Sequence, residues 1–434
     1  MEQARDTIFA VATGRAKSAI SVIRLSGPGS WACVARLTKK GLPEPRRLVR
    51  RSLVDPNGME LDDAMIVVFE PGSSFTGEQA AEIHCHGGLA VVDAVLEQLE
   101  GFAECRHAKP GEFTRRAFEA GRMDLTEVEG LSDLIEAETE FQRRQAMRVL
   151  SGQSAVKLDQ WRADLIRARA LVEVTIDWAD EEVPEDVSDE VKDLMKKVEN
   201  EIQHELTQFN ATERLRHGFE VALIGPPNVG KSSLLNAIAG RDVAIVSEIA
   251  GTTRDVLEVR CDLDGIPVTF LDTAGLRASN DEIERVGVQR AIQRAAAADL
   301  RVRLQSSDVS NADEMPSVPV DLTLWSKSDL GRGNADHMIS VETGEGITQF
   351  LATVKHRLES TASGAGLFGH ERQRLALLVC RDALQSGLEN FGTVEAEVLA
   401  DDLRRAVTAL DELSGRLAVE DVLGEVFASF CLGK

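Results

Sequence analysis

The stretch Gly225-Pro-Pro-Asn-Val-Gly-Lys-Ser232 matches the phosphate-binding pattern G-x-x-x-x-G-K-[ST] at every fixed position. The apolar run 219–224, Phe-Glu-Val-Ala-Leu-Ile, precedes it and predicts a buried strand. The run 233–238, Ser-Leu-Leu-Asn-Ala-Ile, predicts the helix that follows. Because strand, tight loop and helix are the context in which such a loop binds phosphate, we favour this interpretation over a glycine turn with an incidental Lys-Ser.

The residue types in this loop fit the chemistry of a bound nucleotide. Gly225 and Gly230 allow backbone N–H groups to turn towards phosphate oxygens, and the helix N-terminus adds partial positive charge. We expect Lys231 to neutralise phosphate charge and Ser232 to bind Mg²⁺. The predicted nucleotide contacts are Asn228, Val229, Gly230, Lys231, Ser232 and Ser233.

Composition and charge limit the class of protein. The 434 residues, 43% of them apolar, are enough for roughly two to four domains. A net charge of −23 excludes general electrostatic attraction as the main source of nucleic-acid binding, so any contact with RNA has to be local. The arginines at 46, 47, 50 and 51 could provide one, although such a run usually forms a solvated face.

The spacing of the cysteines and the hydropathy of the chain bear on its cellular compartment. The 6 cysteines lack C-x-x-C spacing and Met1 is followed by polar residues, so we expect a reducing cytoplasm and no secretion. No run approaches the roughly 18 apolar residues of a membrane span. His84 and His86 could face one way on a strand as metal ligands, but ordinary hydrogen bonding is the favoured interpretation.

Hydrophobic periodicity predicts a multidomain α/β protein. Residues 1–120 combine short strands with helices, which is typical of an α+β domain. Helical spacing of apolar residues dominates 121–216 and returns in 356–434. The nucleotide unit, 217–355, is therefore predicted to be a doubly wound, Ras-like P-loop domain inserted into one all-α bundle.

Two motifs downstream of the phosphate loop point to a GTP switch. The loop 251–255, Gly-Thr-Thr-Arg-Asp, stands where P-loop GTPases have the threonine that closes on Mg²⁺ and the γ-phosphate. Residues 272–275, Asp-Thr-Ala-Gly, follow an apolar strand, so the aspartate can reach Mg²⁺ through water and the glycine N–H can contact the γ-phosphate. The predicted contacts are Thr252, Thr253, Asp272, Thr273, Ala274 and Gly275, with Thr253 as a second Mg²⁺ ligand.

A third motif bears on the choice of base. Guanine is normally recognised by an Asn-Lys-x-Asp turn, and here the turn reads Ser326-Lys327-Ser-Asp329. Lys327 and Asp329 keep the principal contacts, whereas Ser326 is shorter than Asn and is expected to brace the turn less. We predict GTP over ATP with weaker base affinity, and expect the backbone of 340–344 to support the guanine.

The polar pattern of two strands suggests a reduced covering layer. Runs 300–305 and 320–325 alternate apolar and polar residues, although central parallel strands are usually apolar on both faces. The link 306–319 is rich in Ser, Asp and Pro and lacks helical period. We therefore predict that the helix usually found there is reduced or missing.

These motifs, with others at both ends, resemble the MnmE (TrmE) family of tRNA-modification GTPases over essentially the whole chain. The ending is the most specific match, because other P-loop GTPases lack it. Besides the GTPase motifs, the matching segments are Asp6-Thr-Ile8, Val22-Ile-Arg24-Leu-Ser-Gly27, Phe75-Thr-Gly-Glu78, His86-Gly-Gly88, Pro110-Gly-Glu-Phe113, Met123-Asp-Leu125 and Phe430-Cys-Leu-Gly-Lys434.

The resemblance implies a homodimer that acts on tRNA in a heterotetramer-type complex with an MnmG (GidA) flavoprotein, without a membrane. It implies that residues 1–120 bind folate and dimerise, with 5-formyl- or methylene-tetrahydrofolate as the one-carbon carrier. The reaction it implies installs an aminomethyl or carboxymethylaminomethyl group on carbon 5 of the wobble uridine. The positions that match the family's folate site are Arg24, Glu82, Arg122, Cys431 and Lys434.

The resemblance also implies GTP hydrolysis stimulated by K⁺, which supplies the positive charge that an arginine finger otherwise brings. The matching K⁺ positions are Asn228, Ser247, Ile249 and Thr252. Glu284 matches the family's water-orienting glutamate, although an exposed helix carboxylate would be the first interpretation without the family. With Lys231 and Gly275 it completes the predicted catalytic set.

Two other functions remain open at this stage. One is a GTPase switch in ribosome assembly, but such proteins usually carry a basic RNA-binding appendage and this chain is acidic. The other is a folate-dependent aminomethyltransferase whose nucleotide domain only regulates it.

Overall fold

The computed structural model describes residues 6–38, 40–177, 186–241, 243–245, 258–272, 292–309, 318–393, 395–417, 420–428, 430 and 433. The chain divides into two compact units. The N-terminal unit comprises 1–132 with 411–434, and the central unit comprises 133–410. The fold is multidomain α/β, which confirms the predicted class.

The N-terminal unit is built on a mixed sheet in the order β3-β4-β5-β2-β1-β6, in which β1 and β6 pair in parallel. Its other described neighbours pair antiparallel. The strands are β1 (Thr7–Val11), β2 (Ile20–Ser26), β3 (Val49–Val54), β4 (Glu60–Phe69), β5 (Ala80–His86) and β6 (Cys105–His107). The helices are α1 (Ser30–Leu37), α2 (Leu89–Glu100), α3 (Glu112–Glu119) and α4 (Leu125–Glu136), and the division between units falls within α4.

Strand alternation gives this sheet two apolar faces. One face packs with α1 and α2 in a core that includes Phe9, Ile23 and Val95. The other carries Ile8 and Ala10, which pack with residues of α3 and the segments around it. Apolar residues therefore pack against both sides of the sheet.

The C-terminal segment of the chain packs within the N-terminal unit. Helix α12 (Glu420–Ala428) contributes Phe427 to a cluster with Leu125 and Val128. A side chain at Gly111 would place its Cβ 2.3 Å from the Phe427 carbonyl, so only glycine fits there. Gly433 is equally confined, because a Cβ there would lie 2.2 Å from the Val11 carbonyl at the end of β1.

The helical part of the central unit consists of α5 (Glu140–Leu150), α6 (Gln153–Asp177), α7 (Asp186–His217), α10 (Glu371–Glu389) and α11 (Ala396–Ser414), which crosses the division between units. Apolar residues recur on α6 and α7 at helical spacing and are buried, as the sequence period predicts. Trp161 on α6 is fully buried, stacks on Phe368 and donates to Glu201 Oε2 at 2.7 Å.

The central unit also contains a second sheet in the order β12-β11-β10-β7-β9-β8. Its strands are β7 (Phe219–Ile224), β8 (Glu258–Leu263), β9 (Ile266–Asp272), β10 (Leu300–Gln305), β11 (Leu322–Trp325) and β12 (His337–Met338), with helices α8 (Lys231–Ala239) and α9 (Ile347–Ala362). All pairs are parallel except β8 with β9. This is the sheet predicted around the phosphate loop.

Strands β10 and β11 alternate between buried and half-buried residues, in agreement with their sequence pattern. Arg301 and Asp321 pair across the polar face at 2.8 Å. Residues 306–309 form no helix, and 310–317 lie outside the described residues, so the reduced helix stays a prediction. In the described part of the chain, we find no helix with the length and apolar character to cross a membrane.

Candidate functional site

The phosphate loop lies between the end of β7 and the start of α8. Asn228 and Gly230 adopt left-handed backbone conformations, with φ of 63° and 105°. A Cβ on Gly225 would lie 2.9 Å from the Leu304 carbonyl, so no side chain fits at that position. The turn is therefore wound tightly, with the N-terminus of α8 following it, as a phosphate-binding loop requires.

Lys231, the first residue of α8, is held inside this loop. Its side chain is almost entirely buried, and Nζ donates to the carbonyls of Gly225 at 2.7 Å and Pro226 at 3.1 Å. Burial lowers the pKa of this ammonium, an effect that the carboxylate of Asp272 partly offsets. The Lys231 ammonium is thus held at the loop, where the negative charge of a bound phosphate would favour its protonated form.

Ser232 and Asp272 form the arrangement expected of a Mg²⁺ site. Ser232 Oγ donates to Asp272 Oδ2 at 2.7 Å, which joins the loop to the end of β9. Asp272 is 2% exposed, and its Oδ1 has no hydrogen-bond partner among the described residues. A buried carboxylate oxygen without a partner is costly unless a ligand satisfies it. Hydroxyl and carboxylate oxygens are ligands that Mg²⁺ prefers, so these two residues fit the ion.

Ser326 ties the predicted guanine turn to the phosphate loop. Its hydroxyl lies within hydrogen-bond distance of the Val229 carbonyl and of the Gln305 carbonyl, the latter at 3.1 Å. The residue is 2% exposed. The hydroxyl thus connects the turn to the phosphate loop from within, and the weaker base affinity expected of Ser in place of Asn stays a prediction.

Lys327 and Asp329 are oriented by neighbours that the sequence analysis did not assign. Lys327 Nζ donates to the Asn228 carbonyl at 2.8 Å and to Asp308 Oδ2 at 2.7 Å, and this contact lowers the pKa of the Asp308 carboxyl. Ser340 Oγ donates to Asp329 Oδ1 at 2.6 Å. The carboxylate predicted to read the base is therefore held by a buried hydroxyl from the companion segment, where only backbone support was expected.

Asp308 could have been found from its position. It follows β10 closely, and residues beyond the carboxyl ends of parallel strands meet where such sheets bind ligands. The hydrogen bond from the Ser340 hydroxyl to Asp329 could not be predicted from the local sequence, because it forms only when segment 340–344 approaches the guanine turn.

The remaining predicted GTPase residues lie outside the described residues, as do two of the predicted folate-site residues. Predictions for them stay predictions: Ser247, Ile249, Thr252, Thr253, Thr273, Ala274, Gly275, Glu284, Cys431 and Lys434. Of the predicted K⁺ ligands only Asn228 is described. Val229, Gly230 and Ser233 take their expected places in the loop and at the start of α8.

In the N-terminal unit, the sheet brings Arg24 and Glu82 together. The two are register partners on β2 and β5, and Arg24 Nε donates to Glu82 Oε1 at 3.2 Å. The guanidinium carbon lies 5.6 Å from the Phe75 ring centroid and 5.9 Å from that of Phe113. Cations are attracted to aromatic rings at such distances, so both rings help to hold this arginine beside the carboxylate.

Arg122 lies in the same unit, where its Nη1 donates to the Gly72 carbonyl at 3.1 Å. His84 and His86 each contact a carboxylate, Glu82 at 3.2 Å and Asp62 at 2.6 Å. Ordinary hydrogen bonding, the favoured interpretation of the histidines, agrees with these contacts.

Two family models match the chain. The description "GTP-binding protein TrmE N-terminus" matches residues 7–122, and "MnmE helical domain" matches residues 125–431. Together they account for nearly the whole sequence.

Curated relatives are similar over the same extent. A protein named "tRNA modification GTPase MnmE" from Cereibacter sphaeroides is 50% identical over 434 residues, covering 99% of this chain and 100% of the relative. Proteins of that name from Dinoroseobacter shibae and Roseobacter denitrificans are 48% and 49% identical, again over 99% of this chain and all of the relative. This chain therefore belongs to the MnmE (TrmE) family of tRNA modification GTPases.

Proposed function

We propose that this protein hydrolyses GTP and uses the cycle to modify carbon 5 of the wobble uridine of tRNA in the cytoplasm. The observation that carries the GTPase assignment is the contact between Ser232 and Asp272 beside the buried Lys231. It gathers a cation, a hydroxyl and an unpartnered carboxylate oxygen where Mg²⁺ and the terminal phosphates of GTP would bind. The names of the relatives support the tRNA part of the proposal.

In the proposed reaction, water attacks the γ-phosphorus and the bond to the β-phosphate oxygen breaks, which leaves GDP and phosphate. Lys231 and the N–H groups at the start of α8 bind the phosphates. Ser232 directly, and Asp272 through water, would hold Mg²⁺, which would supply positive charge at the phosphates. Lys327 packs along the base and Asp329 accepts hydrogen bonds from guanine. We assign Thr253 to Mg²⁺, the Gly275 N–H to the γ-phosphate, and Glu284 to the attacking water.

We also propose that K⁺ stimulates hydrolysis. The ion would be held by Asn228 with Ser247, Ile249 and Thr252, and it would supply positive charge close to the phosphates. The left-handed backbone conformation of Asn228 supports this assignment, because it makes Asn228 part of the tight turn that would surround the phosphates.

We infer a folate site in the N-terminal unit for 5-formyl- or methylene-tetrahydrofolate. The pairing of Arg24 with Glu82, close to the rings of Phe75 and Phe113, supports it, since a carboxylate can bond the pterin edge and a cation can bind the glutamate tail. Arg122, Lys434 and Cys431 complete the proposed set. The attached group would be aminomethyl or carboxymethylaminomethyl, with an MnmG-type flavoprotein as partner.

The proposed motion depends on how the GTPase part is inserted. We place it at 217–355, between helical segments 121–216 and 356–434, and propose a homodimer whose GTPase parts meet when GTP binds and separate after hydrolysis. The close succession of α7 and β7 supports this boundary, because His217 ends the helix and Phe219 begins the strand.

Two measurements test the proposal. GTP hydrolysis should be faster in K⁺ than in Na⁺ at equal ionic strength, and equal rates would contradict the K⁺ site. Mass spectrometry of tRNA from cells that lack the protein should show loss of the modified wobble uridine. Unchanged wobble uridine would contradict the assignment to tRNA.

A variant separates this function from that of a folate-dependent transferase. Lys231→Ala should abolish nucleotide binding, whereas Ala at the exposed Lys196 on α7 serves as a matched control. If Lys231→Ala loses tRNA modification while the Lys196 control keeps it, the result supports a GTP-driven enzyme. Full modification in that variant would favour the transferase.

A further inference from the structure

The segment 38–52 is strongly basic in a chain that is acidic as a whole. It contains six lysines and arginines and a single acidic residue, Glu44, whereas the net charge of the chain is −23. None of the residues assigned to GTP, Mg²⁺, K⁺ or folate lies in it. The segment is described except for residue 39, and it ends within strand β3.

Strand β3 places these cations at an edge of the N-terminal sheet. It is the first strand in the sheet order and has β4 as its neighbour. The backbone contact with β4 extends beyond β3, because the Arg46 N–H donates to the Val68 carbonyl at 2.8 Å. At a rise of about 3.3 Å per residue, the run 46–51 covers roughly 16 Å along this edge.

The start of the segment returns to the same edge. Thr38 forms an antiparallel bridge with Leu53, and Arg51 Nε donates to the Gly41 carbonyl at 3.2 Å. Lys40, which precedes Gly41, is therefore held beside β3. The name basic ridge is used here for the described cations of this edge, which are Lys40, Arg46, Arg47, Arg50 and Arg51.

Three cations of the basic ridge are not neutralised by a carboxylate. Among the described residues, Lys40, Arg46 and Arg51 have no acidic partner, and the guanidinium of Arg51 donates to the backbone carbonyls of Gly41 and Arg50 instead. Lys40 and Arg46 are exposed to solvent. In an acidic chain, this edge therefore presents uncompensated positive charge.

The other two cations form only exposed ion pairs. Arg47 contacts Glu44 at 3.3 Å, and Arg50 contacts Asp63. The side chains of these arginines are 71% and 74% exposed. Ion pairs in water are worth little, so a phosphate can replace either carboxylate at small cost.

We propose that the basic ridge binds the phosphate backbone of tRNA. This inference rests on the proposed function, which makes tRNA the substrate. A guanidinium group matches phosphate geometry with two parallel hydrogen bonds, and four of the five cations are arginines. Because the net charge of the chain repels a polyanion, RNA contacts are favoured where cations lack neutralising carboxylates. Such contacts orient the RNA without reading its sequence.

Protection of the sheet edge is a different role for charged residues at this place. Charged side chains on an edge strand prevent it from pairing with a strand of another molecule. That role accounts for Arg50 and Arg51, which belong to β3. It does not account for Lys40, Arg46 and Arg47, which lie outside the strand.

The test is a triple variant of the full-length protein, Arg46→Gln, Arg47→Gln and Arg50→Gln, which removes charge from exposed side chains. Binding of a transcribed, unmodified tRNA is measured by fluorescence anisotropy at several salt concentrations. Each phosphate contact contributes about 0.7–0.9 to the slope of log Kd against log salt concentration, so the slope should fall by about 2–3. At about 0.1 M salt, tRNA affinity should fall about 10- to 100-fold. Lysine at the same three positions should restore most of the binding.

A matched control removes the same charge from exposed positions of the central unit. Arg143 and Arg144 on α5 pair with Glu140, and Arg404 on α11 pairs with Asp401. The control variant Arg143→Gln, Arg144→Gln and Arg404→Gln should bind tRNA as the wild type does. Both triple variants should hydrolyse GTP at the wild-type rate, which shows that they are folded.

Three results would overturn the proposal. One is equal weakening of tRNA binding in the control, since net charge alone would then explain the effect. Another is a ridge variant that binds tRNA like the wild type. The third is a ridge variant that loses binding to phosphatidylserine vesicles while it keeps tRNA binding, which would make the ridge a lipid-binding surface. A wild type that does not bind tRNA at all would contradict the proposed function itself, so the two failures are distinguishable.

Discussion

The tip of the β8–β9 hairpin is held against the first turn of α5, and this contact depends on one glycine. Asp264 and Gly265 have φ of 49° and 96°, as in a tight two-residue hairpin turn. The Phe141 N–H donates to the Gly265 carbonyl at 3.2 Å, and the Phe141 ring packs against the core of the GTPase sheet. Lys355 Nζ contacts Asp264 Oδ2 at 2.8 Å.

Replacing this glycine with alanine should destabilise the central unit in two ways. The left-handed backbone disfavours a side chain by about 1–2 kcal/mol. The new Cβ would also lie 2.8 Å from Phe141 Cδ2, so the ring has to move, and forced repacking of this kind costs about 1–3 kcal/mol. We therefore expect Gly265→Ala to lower the free energy of unfolding by about 2–5 kcal/mol.

Gly392 provides the matched control. Its φ is 76°, and a Cβ there would meet no atom within 4 Å, so Gly392→Ala carries the backbone penalty alone. Urea unfolding followed by far-ultraviolet circular dichroism measures both variants. In a Phe141→Ala background the cost of Gly265→Ala should fall to that of Gly392→Ala. Equal costs for the two glycines in the wild-type background, or an unchanged cost after removal of the ring, would refute the reasoning.

Three further predictions concern the site and the start of α4. Ser340→Ala leaves the Asp329 carboxylate without its hydroxyl donor. Losing this hydrogen bond should cost about 1–2 kcal/mol of GTP binding free energy, so that a titration shows GTP binding weakened about 5- to 30-fold and ATP binding unchanged. Equal weakening for both nucleotides would contradict this role of Ser340. Ser326→Ala should destabilise the central unit by about 1–3 kcal/mol, because a buried carbonyl loses its donor. Ser328→Ala is its control and should be neutral in the same unfolding assay, since that buried hydroxyl has no partner among the described residues. Asp124 accepts from the Glu127 N–H at 2.8 Å, and burial raises the pKa of its carboxyl, so the folded state holds the proton more tightly than the unfolded state. The stability of the wild type relative to Asp124→Asn should therefore grow as the pH falls from 7 towards about 4, and a decrease over that range would contradict the sign.

The sequence alone predicted the elements whose signals are local. The phosphate loop, its strand and its helix could be identified because backbone conformation and phosphate binding both require those residue types at fixed spacing. The alternating apolar and polar residues of β10 and β11 are also alternately buried and half-buried in the structure. At Ser326 the side-chain length suggested weak bracing, and the sequence could not show that the Val229 carbonyl approaches the hydroxyl.

What the sequence did not reveal depends on segments that meet only after folding. The pairing of Arg24 with Glu82 follows from the register of β2 on β5, and the flanking Phe75 ring comes from a turn outside either strand. The contact of Phe141 with Gly265 joins a helix to a hairpin tip distant in sequence. Neither partner is unusual by itself, since phenylalanines and Asp-Gly turns are common. Their significance arises because β9 ends at Asp272, so the hairpin that contacts α5 at one end supplies the carboxylate of the phosphate site at the other.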